Sequence, residues 1–502
     1  MANPVAALWR NAEESPDLVA VRDGERTLSY SGLRDRIACR AREFSALGVK
    51  PGDRVLFIAP SVPEFVVTYY ALHTVGATVI TMNVMSTVPE IDYVVDDSGL
   101  TTIVAWHASA EAAEHVARAR ELPFVEVGAF ENDPDTPAAD AVATGYVERD
   151  DNDEAVILYT SGTTGKPKGA ALTISNLNSV PTSFHAALAL EAGERWATAL
   201  PLFHCFGQAV VMHNALTWKG TLSLLSPFAP DVFMDRLRDE HITIACGVPT
   251  MWNAMLQAAG DRQASDFADL RLACSGGASL PGEVLREFSE RFGCTILEGY
   301  GLTETAGATT FSDLNEGPKV GTIGKPLPGY TVEIRDLDGN VLPAETVGEV
   351  FILGPSVMKG YWNRPDATAS TLQDGWLATG DLGSIDPDGN IRIVDRKKDL
   401  IIRGGYNVYP KEVEEVLYTH PDIVEVAVIG VPDDHYGEEI AAAVALRPGA
   451  TGDRDTLRAW CKERLSAYKV PRIIVFVDAL PKGSTGKILK RAIDIDALTS
   501  TT

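Results

Sequence analysis

The sequence predicts an α/β protein, with a large layered N-terminal domain, a small β-rich subdomain and a small α+β C-terminal domain. Short apolar runs alternate with helix-length segments before Gly329, which is typical of buried parallel sheets. From Gly329 onward, short β-prone runs are joined by Asp-Gly turns, which favours antiparallel strands. A charged run, Asp395 to Asp399, then precedes a compact α+β pattern. At 502 residues, the chain is too long for a single core.

The N-terminal part shows one clear helix and a series of candidate strands. Tyr30 to Leu47 has helical spacing of its apolar residues. The apolar runs of strand length are Asp53 to Ala59, Thr102 to Ala105, Trp196 to Leu200, Gly220 to Leu225 and Ile242 to Ala245. We therefore expect parallel sheets to form the core of this part.

We predict a domain boundary after residue 395. Residues 1–395 form the N-terminal domain, with its β-rich subdomain at about 329–394, and residues 396–502 form the C-terminal domain. Pro410 is expected to start a helix in the C-terminal domain. Its further predicted elements are strands at Val424 to Val431, Ala441 to Leu446 and Ile473 to Val477, and a helix at Thr456 to Leu465.

Charge and composition exclude several classes of protein. The formal net charge of −25 makes a nucleic acid a poor partner. No run of about eighteen apolar residues predicts a membrane span, and Glu13 and Glu14 interrupt the N-terminal region before a signal peptide could form. We therefore expect a cytoplasmic protein. The six cysteines lack Cys-x-x-Cys spacing, which disfavours structural zinc and disulfides, and Cys205 is expected to be a buried filler.

The segment Tyr159 to Ala170 is predicted to bind polyphosphate. It follows the apolar, β-prone run Ala155 to Thr160, and Lys166 and Lys168 add positive charge. Its glycines would let main-chain N–H groups turn toward an anion. The residues of this loop that we assign to phosphate are Thr160, Ser161, Gly162, Thr163, Thr164, Gly165, Lys166 and Lys168, with Gly169 as a further flexible position. A Walker loop is unlike this one, which has threonine at position 160 and proline at 167.

Five further segments have the same dense, specific character and combine glycine with histidine, aromatic, hydroxyl or charged residues. They are Pro201 to Gly207, Ser275 to Ala278, Leu297 to Thr305, Gly375 to Asp381 and Pro481 to Lys487. In this order and spacing, the chain resembles the adenylate-forming superfamily of acyl-CoA synthetases, luciferases and nonribosomal-peptide adenylation domains. The resemblance covers essentially the whole chain. It implies that ATP activates a carboxylic acid to an acyl-AMP with release of pyrophosphate, and that a thiol then accepts the acyl group.

The resemblance also implies an ATP site whose residues suit the chemistry. Glu304 and the Thr160 hydroxyl are candidate ligands for Mg²⁺, which prefers few carboxylates plus phosphate oxygens. Tyr300 would face adenine. Asp381 would accept hydrogen bonds from the ribose, and Arg396 could donate to the same sugar. The remaining nucleotide-binding candidates are Gly276, Gly277, Ala278, Glu298, Gly299, Gly301 and Thr303.

Catalysis and thiol transfer are assigned to residues from both domains. Lys487 matches the lysine that bridges the acid oxygen and the α-phosphate in this superfamily, and His204 lies where the superfamily orients the carboxylate; a merely buried, hydrogen-bonded histidine is the alternative. The resemblance implies that the C-terminal domain is mobile and rotates about Lys398. After rotation, Gly404 and Gly405 would line the passage for the pantetheine arm of CoA or of a holo acyl carrier protein.

The acid itself is the least determined part of the prediction. Phe203 to Val211 contains no acidic residue that would pair with an amino acid's ammonium, and no arginine for a malonate-type acid occurs between Arg195 and Arg236. Gly301 stands where short-acid relatives have a bulky residue, which predicts an open tunnel. The candidate apolar lining is Phe206, Val210, Val211, Met251, Trp252 and Ala306. A medium- or long-chain fatty acid is therefore the leading substrate, and an aryl acid is second.

Several alternatives remain open from the sequence. A luciferase-like oxygenase would keep every adenylation motif, and a catalytically inactive acyl-binding or scaffold protein would not need Lys487, Glu304 and Asp381. The acceptor could be CoA or a carrier protein. The sequence does not distinguish a monomer from a homodimer.

Overall fold

The computed structural model describes residues 3–130, 145–160, 166–433, 435–483 and 487–493. The helices are α1 Ala6–Glu14, α2 Tyr30–Ala46, α3 Pro63–Thr74, α4 Val88–Ser98, α5 Glu111–Ala119, α6 Ile174–Leu188, α7 Asn214–Thr217, α8 Pro230–Asp239, α9 Pro249–Gln257, α10 Gly282–Phe292, α11 Pro365–Thr371, α12 Pro410–Tyr418 and α13 Arg454–Lys462. A π-helical segment, Phe206–His213, precedes α7. No helix in these ranges is long and apolar enough to cross a membrane.

The strands carry the layered architecture. They are β1 Val19–Asp23, β2 Arg26–Ser29, β3 Arg54–Ile58, β4 Thr78–Met82, β5 Thr102–Trp106, β6 Phe124–Val127, β7 Glu154–Thr160, β8 Lys168–Thr173, β9 Arg195–Thr198, β10 Thr221–Leu224, β11 Ile244–Gly247, β12 Leu272–Ser275, β13 Ile296–Tyr300, β14 Thr310–Phe311, β15 Lys325–Pro326, β16 Thr331–Arg335, β17 Gly348–Leu353, β18 Gly360–Tyr361, β19 Leu372–Gln373, β20 Trp376–Ile385, β21 Ile391–Arg396, β22 Ile401–Arg403, β23 Tyr406–Val408, β24 Ile423–Asp433, β25 Gly437–Leu446 and β26 Ile473–Val477.

Two mostly parallel sheets form the N-terminal body. One has the strand order β15-β14-β13-β12-β11-β9-β10-β1-β2, and the other has the order β18-β8-β7-β4-β3-β5-β6. Helix α3 contacts β1 of the first sheet and β4 of the second, and all of its residues are buried. It begins at Pro63, whose missing N–H costs nothing in the first turn of a helix. One continuous apolar core therefore lies between the two sheets.

The predicted elements are confirmed with small shifts at their ends. The helix expected from Tyr30 ends at Ala46, and the five predicted strands of the body are β3, β5, β9, β10 and β11. The β-rich subdomain is an antiparallel sheet of order β16-β17-β20-β19, with β21 paired to β20. The fold class predicted from the sequence is confirmed.

One element of the 329–394 segment does not belong to the subdomain sheet. Strand β18 pairs antiparallel with β8 of the body, with Tyr361 opposite Ala170. The backbone N–H of Trp362 also donates to the carbonyl of Gly169 at 2.7 Å. The sequence did not predict this pairing, because a two-residue strand has no periodicity to detect.

The C-terminal part has its own core. Its sheet has the order β23-β22-β25-β24, with β26 parallel to β25, and α12 and α13 pack on it. Strand β21 ends at Arg396 and β22 begins at Ile401. The connection of residues 397–400 joins this part to the body, and the domain limit after residue 395 stays a prediction.

Candidate active site

The predicted phosphate loop joins two antiparallel strands. Thr160 ends β7 and lies opposite Lys168, the first residue of β8. The assigned residues Ser161, Gly162, Thr163, Thr164 and Gly165 lie outside the described part of the chain, so their role stays a prediction. The two lysines lie over aromatic rings: Lys166 Nζ is 5.5 Å from the ring centroid of Tyr93, and Lys168 Nζ is 4.1 Å from that of Tyr361.

Gly169 does not take part in the loop. It lies in β8 opposite Tyr159, and a Cβ at this position would come within 2.7 Å of Cγ2 of Ile157. The flexible role predicted for Gly169 is therefore wrong. Glycine is needed at position 169 because the side chain of Ile157 in β7 packs against the backbone of this residue.

The candidate magnesium ligand Glu304 lies in a short 3₁₀ turn, Thr303–Thr305, next to β8. Its Oε1 accepts a hydrogen bond of 2.7 Å from the Tyr361 hydroxyl. No described residue donates a hydrogen bond to Oε2, so this oxygen is available to a cation. Burial and the charge of Glu304 raise the pKa of Tyr361 far above its ordinary value, so Tyr361 stays a donor. One carboxylate oxygen next to β8, the strand that follows the predicted phosphate loop, suits Mg²⁺, which takes its other ligands from phosphates and water.

The side of the site that is predicted to bind the nucleoside is built around Asp381. The Tyr300 hydroxyl donates to Asp381 Oδ2 at 2.5 Å, and Arg396 Nε lies 3.6 Å from Oδ1. Asp381 in β20 and Arg396 in β21 are register partners, so the sheet itself sets their separation. Burial raises the pKa of Asp381, an effect that the Tyr300 hydrogen bond and the charge of Arg396 oppose. These three predicted residues are therefore in contact.

Lys487 reaches this site from the far end of the chain. Its loop is closed by a hydrogen bond of 2.8 Å from Gly483 N to Lys487 O. Burial and then the charge of Arg396 lower the Lys487 pKa to about 8, against the opposing effect of Asp381 and Asp399. The Lys487 ammonium is thus within electrostatic range of Asp381 and Arg396.

The charge of Lys487 also acts on His204. Burial, and then Lys487, lower the pKa of His204 to about 4. Its Nδ1 accepts a hydrogen bond of 3.3 Å from the backbone N–H of Phe206, so the proton of the neutral ring resides on Nε2. A neutral N–H donor suits a substrate carboxylate without adding charge. The neighbouring Cys205 is buried, and burial raises its pKa to about 12, so it is not a thiolate nucleophile.

A cavity of about 40 Å³ adjoins His204 and Tyr300. Its walls combine aromatic rings with exposed backbone. The aromatic residues are Phe184, Trp196, Phe206, Tyr300 and Phe311, and the glycines are Gly276, Gly277, Gly299, Gly301 and Gly307. Small side chains complete the lining: Cys205, Val210, Cys246, Cys274, Ser275 and Ala308. No lysine or arginine of the described residues lines it.

The sequence predicted only part of this lining. Phe206 and Val210 line the cavity, whereas Val211, Met251, Trp252 and Ala306 are buried elsewhere in the core. Cys246 and Cys274 were missed, although they are register partners in the parallel strands β11 and β12. Ligands bind outside the carboxyl ends of such strands, and this rule could have indicated them.

Gly301 has a different role from the predicted one. A Cβ at this position would lie 2.4 Å from the backbone N of Ala308. The inference that Gly301 opens a tunnel is wrong, because the backbone of residues 307–308 occupies the space that a side chain at position 301 would need.

The other nucleotide-binding candidates differ in their placement. Gly277 and Ala278 are exposed, and Thr303 Oγ1 lies 3.9 Å from the Cys205 sulfur. The buried Glu298 carboxylate accepts from the backbone N–H of Leu280 at 3.1 Å and does not line the cavity. Burial raises its pKa to about 7.

The hinge and pantetheine candidates lie away from the cavity. Lys398 is exposed on the connection after β21. Gly404 and Gly405 have φ of 58° and 84° and form the turn between β22 and β23, as glycine-rich hairpins do. Neither glycine lines the cavity in this arrangement of the chain.

Known proteins resemble the chain over nearly its full length. Residues 8–362 match the family described as AMP-binding enzyme, and residues 412–487 match the AMP-binding enzyme C-terminal domain. A feruloyl-CoA synthase of an Amycolatopsis species is 38% identical, with 98% of each chain covered. A long-chain-fatty-acid–CoA ligase of Bacillus subtilis (strain 168) is 32% identical, with 97% of this chain and 93% of the relative covered.

A solved structure agrees with this assignment. ATP-bound MatB from Rhodopseudomonas palustris superposes with a TM-score of 0.90 at 33% identity, with 98% of this chain and 97% of that chain covered. The chain therefore belongs to the AMP-binding enzyme family, within the adenylate-forming superfamily that its motifs resemble, and is an AMP-forming acid–thiol ligase.

Proposed function

We propose that this ligase activates an aryl carboxylic acid and transfers the acyl group to CoA. The acid carboxylate attacks the α-phosphorus of ATP, which gives acyl-AMP and pyrophosphate. The CoA thiol then attacks the acyl carbonyl, which gives acyl-CoA and AMP. The observation that carries the proposal is the narrow cavity with aromatic and glycine walls beside His204 and Tyr300.

The shape of this cavity favours a flat acid over an alkyl chain. Gly276 presents bare backbone, since a Cβ there would lie 3.2 Å from the Phe206 ring and 3.4 Å from the Gly299 carbonyl oxygen. An aromatic ring of the substrate would stack on the aromatic side chains of the lining or meet them edge to face. The cavity of about 40 Å³ is smaller than the roughly 150 Å³ that accepts benzene in an engineered protein. One ring therefore requires the lining to move, and a long alkyl chain requires a larger movement.

The charge of the lining also limits the acid. Because no described lysine or arginine lines the cavity, a second carboxylate on the substrate would be buried without a partner, which is costly. A neutral ring with one carboxylate fits this environment. The similarity to a feruloyl-CoA synthase, at 38% identity, supports the same class.

The placement of the chain's own groups supports the first step. The Lys487 ammonium beside Asp381 can neutralise charge that builds between the carboxylate and the α-phosphate. The Nε2 proton of His204 can orient the carboxylate. Glu304, with Thr160, would hold Mg²⁺, which screens phosphate charge when it is bound. Tyr300, Asp381 and Arg396 would hold the nucleoside.

Pyrophosphate release across a panel of acids tests the proposal. The panel contains hydroxycinnamic and benzoic acids, medium- and long-chain fatty acids, and a dicarboxylic acid, each with CoA or with a holo acyl carrier protein as acceptor. We expect the highest kcat/KM for an aryl acid and a thioester with CoA. A preference for fatty acids would overturn the aryl assignment, and transfer to the carrier protein alone would overturn the CoA assignment. Light emission with ATP and oxygen instead of thioester would indicate a luciferase-like reaction.

A further inference from the structure

We propose that Tyr361 is a positioning residue that holds the Glu304 carboxylate and the Lys168 ammonium in place for a magnesium-bound triphosphate. The inference rests on the proposed function for its ligand. Tyr361 lies outside the predicted phosphate loop and outside the five motif segments.

Tyr361 contacts both charged groups at once. Its hydroxyl donates to Glu304 Oε1 at 2.7 Å, and the face of its ring lies 4.1 Å from Lys168 Nζ. The whole residue is only 9% exposed. One rigid side chain thus fixes the positions of a carboxylate and an ammonium that come from two separate segments.

The backbone around Tyr361 is fixed independently of its hydroxyl. Met358 N donates to the Glu304 carbonyl at 2.8 Å, and Trp362 N donates to the Gly169 carbonyl at 2.7 Å. Strand β18 also pairs with β8 through Tyr361 and Ala170. Removal of the hydroxyl should therefore leave the strand in place and release only the carboxylate.

The hydrogen bond to Oε1 has a direct consequence for a cation. It restricts rotation of the carboxylate and leaves Oε2 as the oxygen without a donor among the described residues. Hydrogen-bond partners that orient metal ligands commonly change metal affinity by about 10- to 100-fold when they are removed. The ring contributes separately, because an ammonium over an aromatic face is attracted to it.

Equilibrium binding of ATP, measured by calorimetry over a series of Mg²⁺ concentrations and without any acid, tests the inference. For Tyr361→Phe we expect the Mg²⁺ concentration at half-maximal binding to rise about tenfold, with near wild-type ATP affinity once Mg²⁺ saturates. Tyr361→Leu also removes the ring, so its ATP affinity should stay weak at saturating Mg²⁺.

Two comparisons separate this role from a structural one. Tyr30→Phe removes another buried hydroxyl, which donates to the Gly220 carbonyl at 2.8 Å, and should leave the Mg²⁺ midpoint unchanged. Tyr361→Phe combined with Glu304→Gln should bind Mg²⁺–ATP no worse than Glu304→Gln alone, because both changes act on the same carboxylate.

The inference is overturned if Tyr361→Phe keeps the wild-type Mg²⁺ midpoint or if the two changes are additive. Absence of Mg²⁺-dependent ATP binding in the wild-type protein would also overturn it. Mg²⁺-dependent ATP binding without pyrophosphate release from any aryl acid would instead refute the proposed acid class, while the Tyr361 result would stand.

Discussion

At the scale of single residues, Lys487 is the group on which the first half-reaction should depend most. Lys487 is half-buried and within electrostatic range of Asp381 and Arg396, and charge stabilisation is strong in such a place. Lys487→Ala should slow acyl-AMP formation about a hundredfold or more and largely spare thioester formation from supplied acyl-AMP. Pyrophosphate exchange and single-turnover thioester formation measure the two steps. Equal loss of both would contradict the assignment.

The lowered Lys487 pKa predicts a pH dependence of the same step. Because this pKa is about 8, the charged form predominates at pH 7 and is lost as the pH rises through 8. Adenylation should therefore fall above pH 8. Lys487→Arg keeps its charge over this range, so its adenylation, although slower, should lack the falling limb. An identical pH profile in both proteins would assign the limb to another group.

Gly301 packs tightly against the backbone of residues 307–308. Since a Cβ there would clash with the backbone at 2.4 Å, Gly301→Ala should lower the free energy of unfolding by about 1–3 kcal/mol. Gly128→Ala is the matched control, because nothing lies within 4 Å of a Cβ at that position. Denaturant unfolding measures both. A stable Gly301→Ala protein with a merely blocked pocket would restore the tunnel interpretation.

At the scale of elements, the connection after β21 carries the predicted hinge. The N–H of Lys397 donates to the Gly380 carbonyl at 3.0 Å, and Lys397 Nζ lies 2.9 Å from Glu349 Oε2. Lys398 is exposed beside this contact. The connection is therefore held on the body immediately before the residue at which rotation is predicted.

Lys398→Pro should impair thioester formation about tenfold more than pyrophosphate exchange, because proline restricts the backbone torsions that a hinge must change. Lys398→Ala keeps these torsions free and serves as the control. Both half-reactions are measured at saturating substrates. A similar loss in both steps, or the same effect of alanine and proline, would refute a hinge at this residue.

Elements with a strong period were predictable, and elements defined by a partner were not. Helix α2 and strand β26 follow from apolar spacing within the segment itself. Strand β18 exists because its two residues pair with β8, and this partner is distant in sequence. The cavity-lining Phe184 and Phe311 meet edge-on at 5.5 Å between ring centroids, although one comes from α6 and the other from β14. No local pattern relates them.

At the scale of the whole molecule, the packing of the C-terminal part against the body assembles the site. Lys487 comes within electrostatic range of Asp381 because the C-terminal core packs near the body. There, Lys411 Nζ donates to the Ile393 carbonyl at 2.8 Å and Lys411 N donates to Asp395 Oδ2 at 2.9 Å. Lys487 and Asp381 are each recognisable from the sequence. Their distance is a property of the assembled domains.

The sequence alone determined the fold class and the family resemblance, and it predicted an ATP site at Glu304, Asp381 and Lys487, because these depend on local periodicity and on motifs of short spacing. The tertiary structure decided the shape of the cavity beside His204 and Tyr300 and the contact of Tyr361 with Glu304. The physical reason is that a cavity wall and a hydrogen bond between distant segments arise from packing, and packing joins residues whose separation along the chain carries no signal.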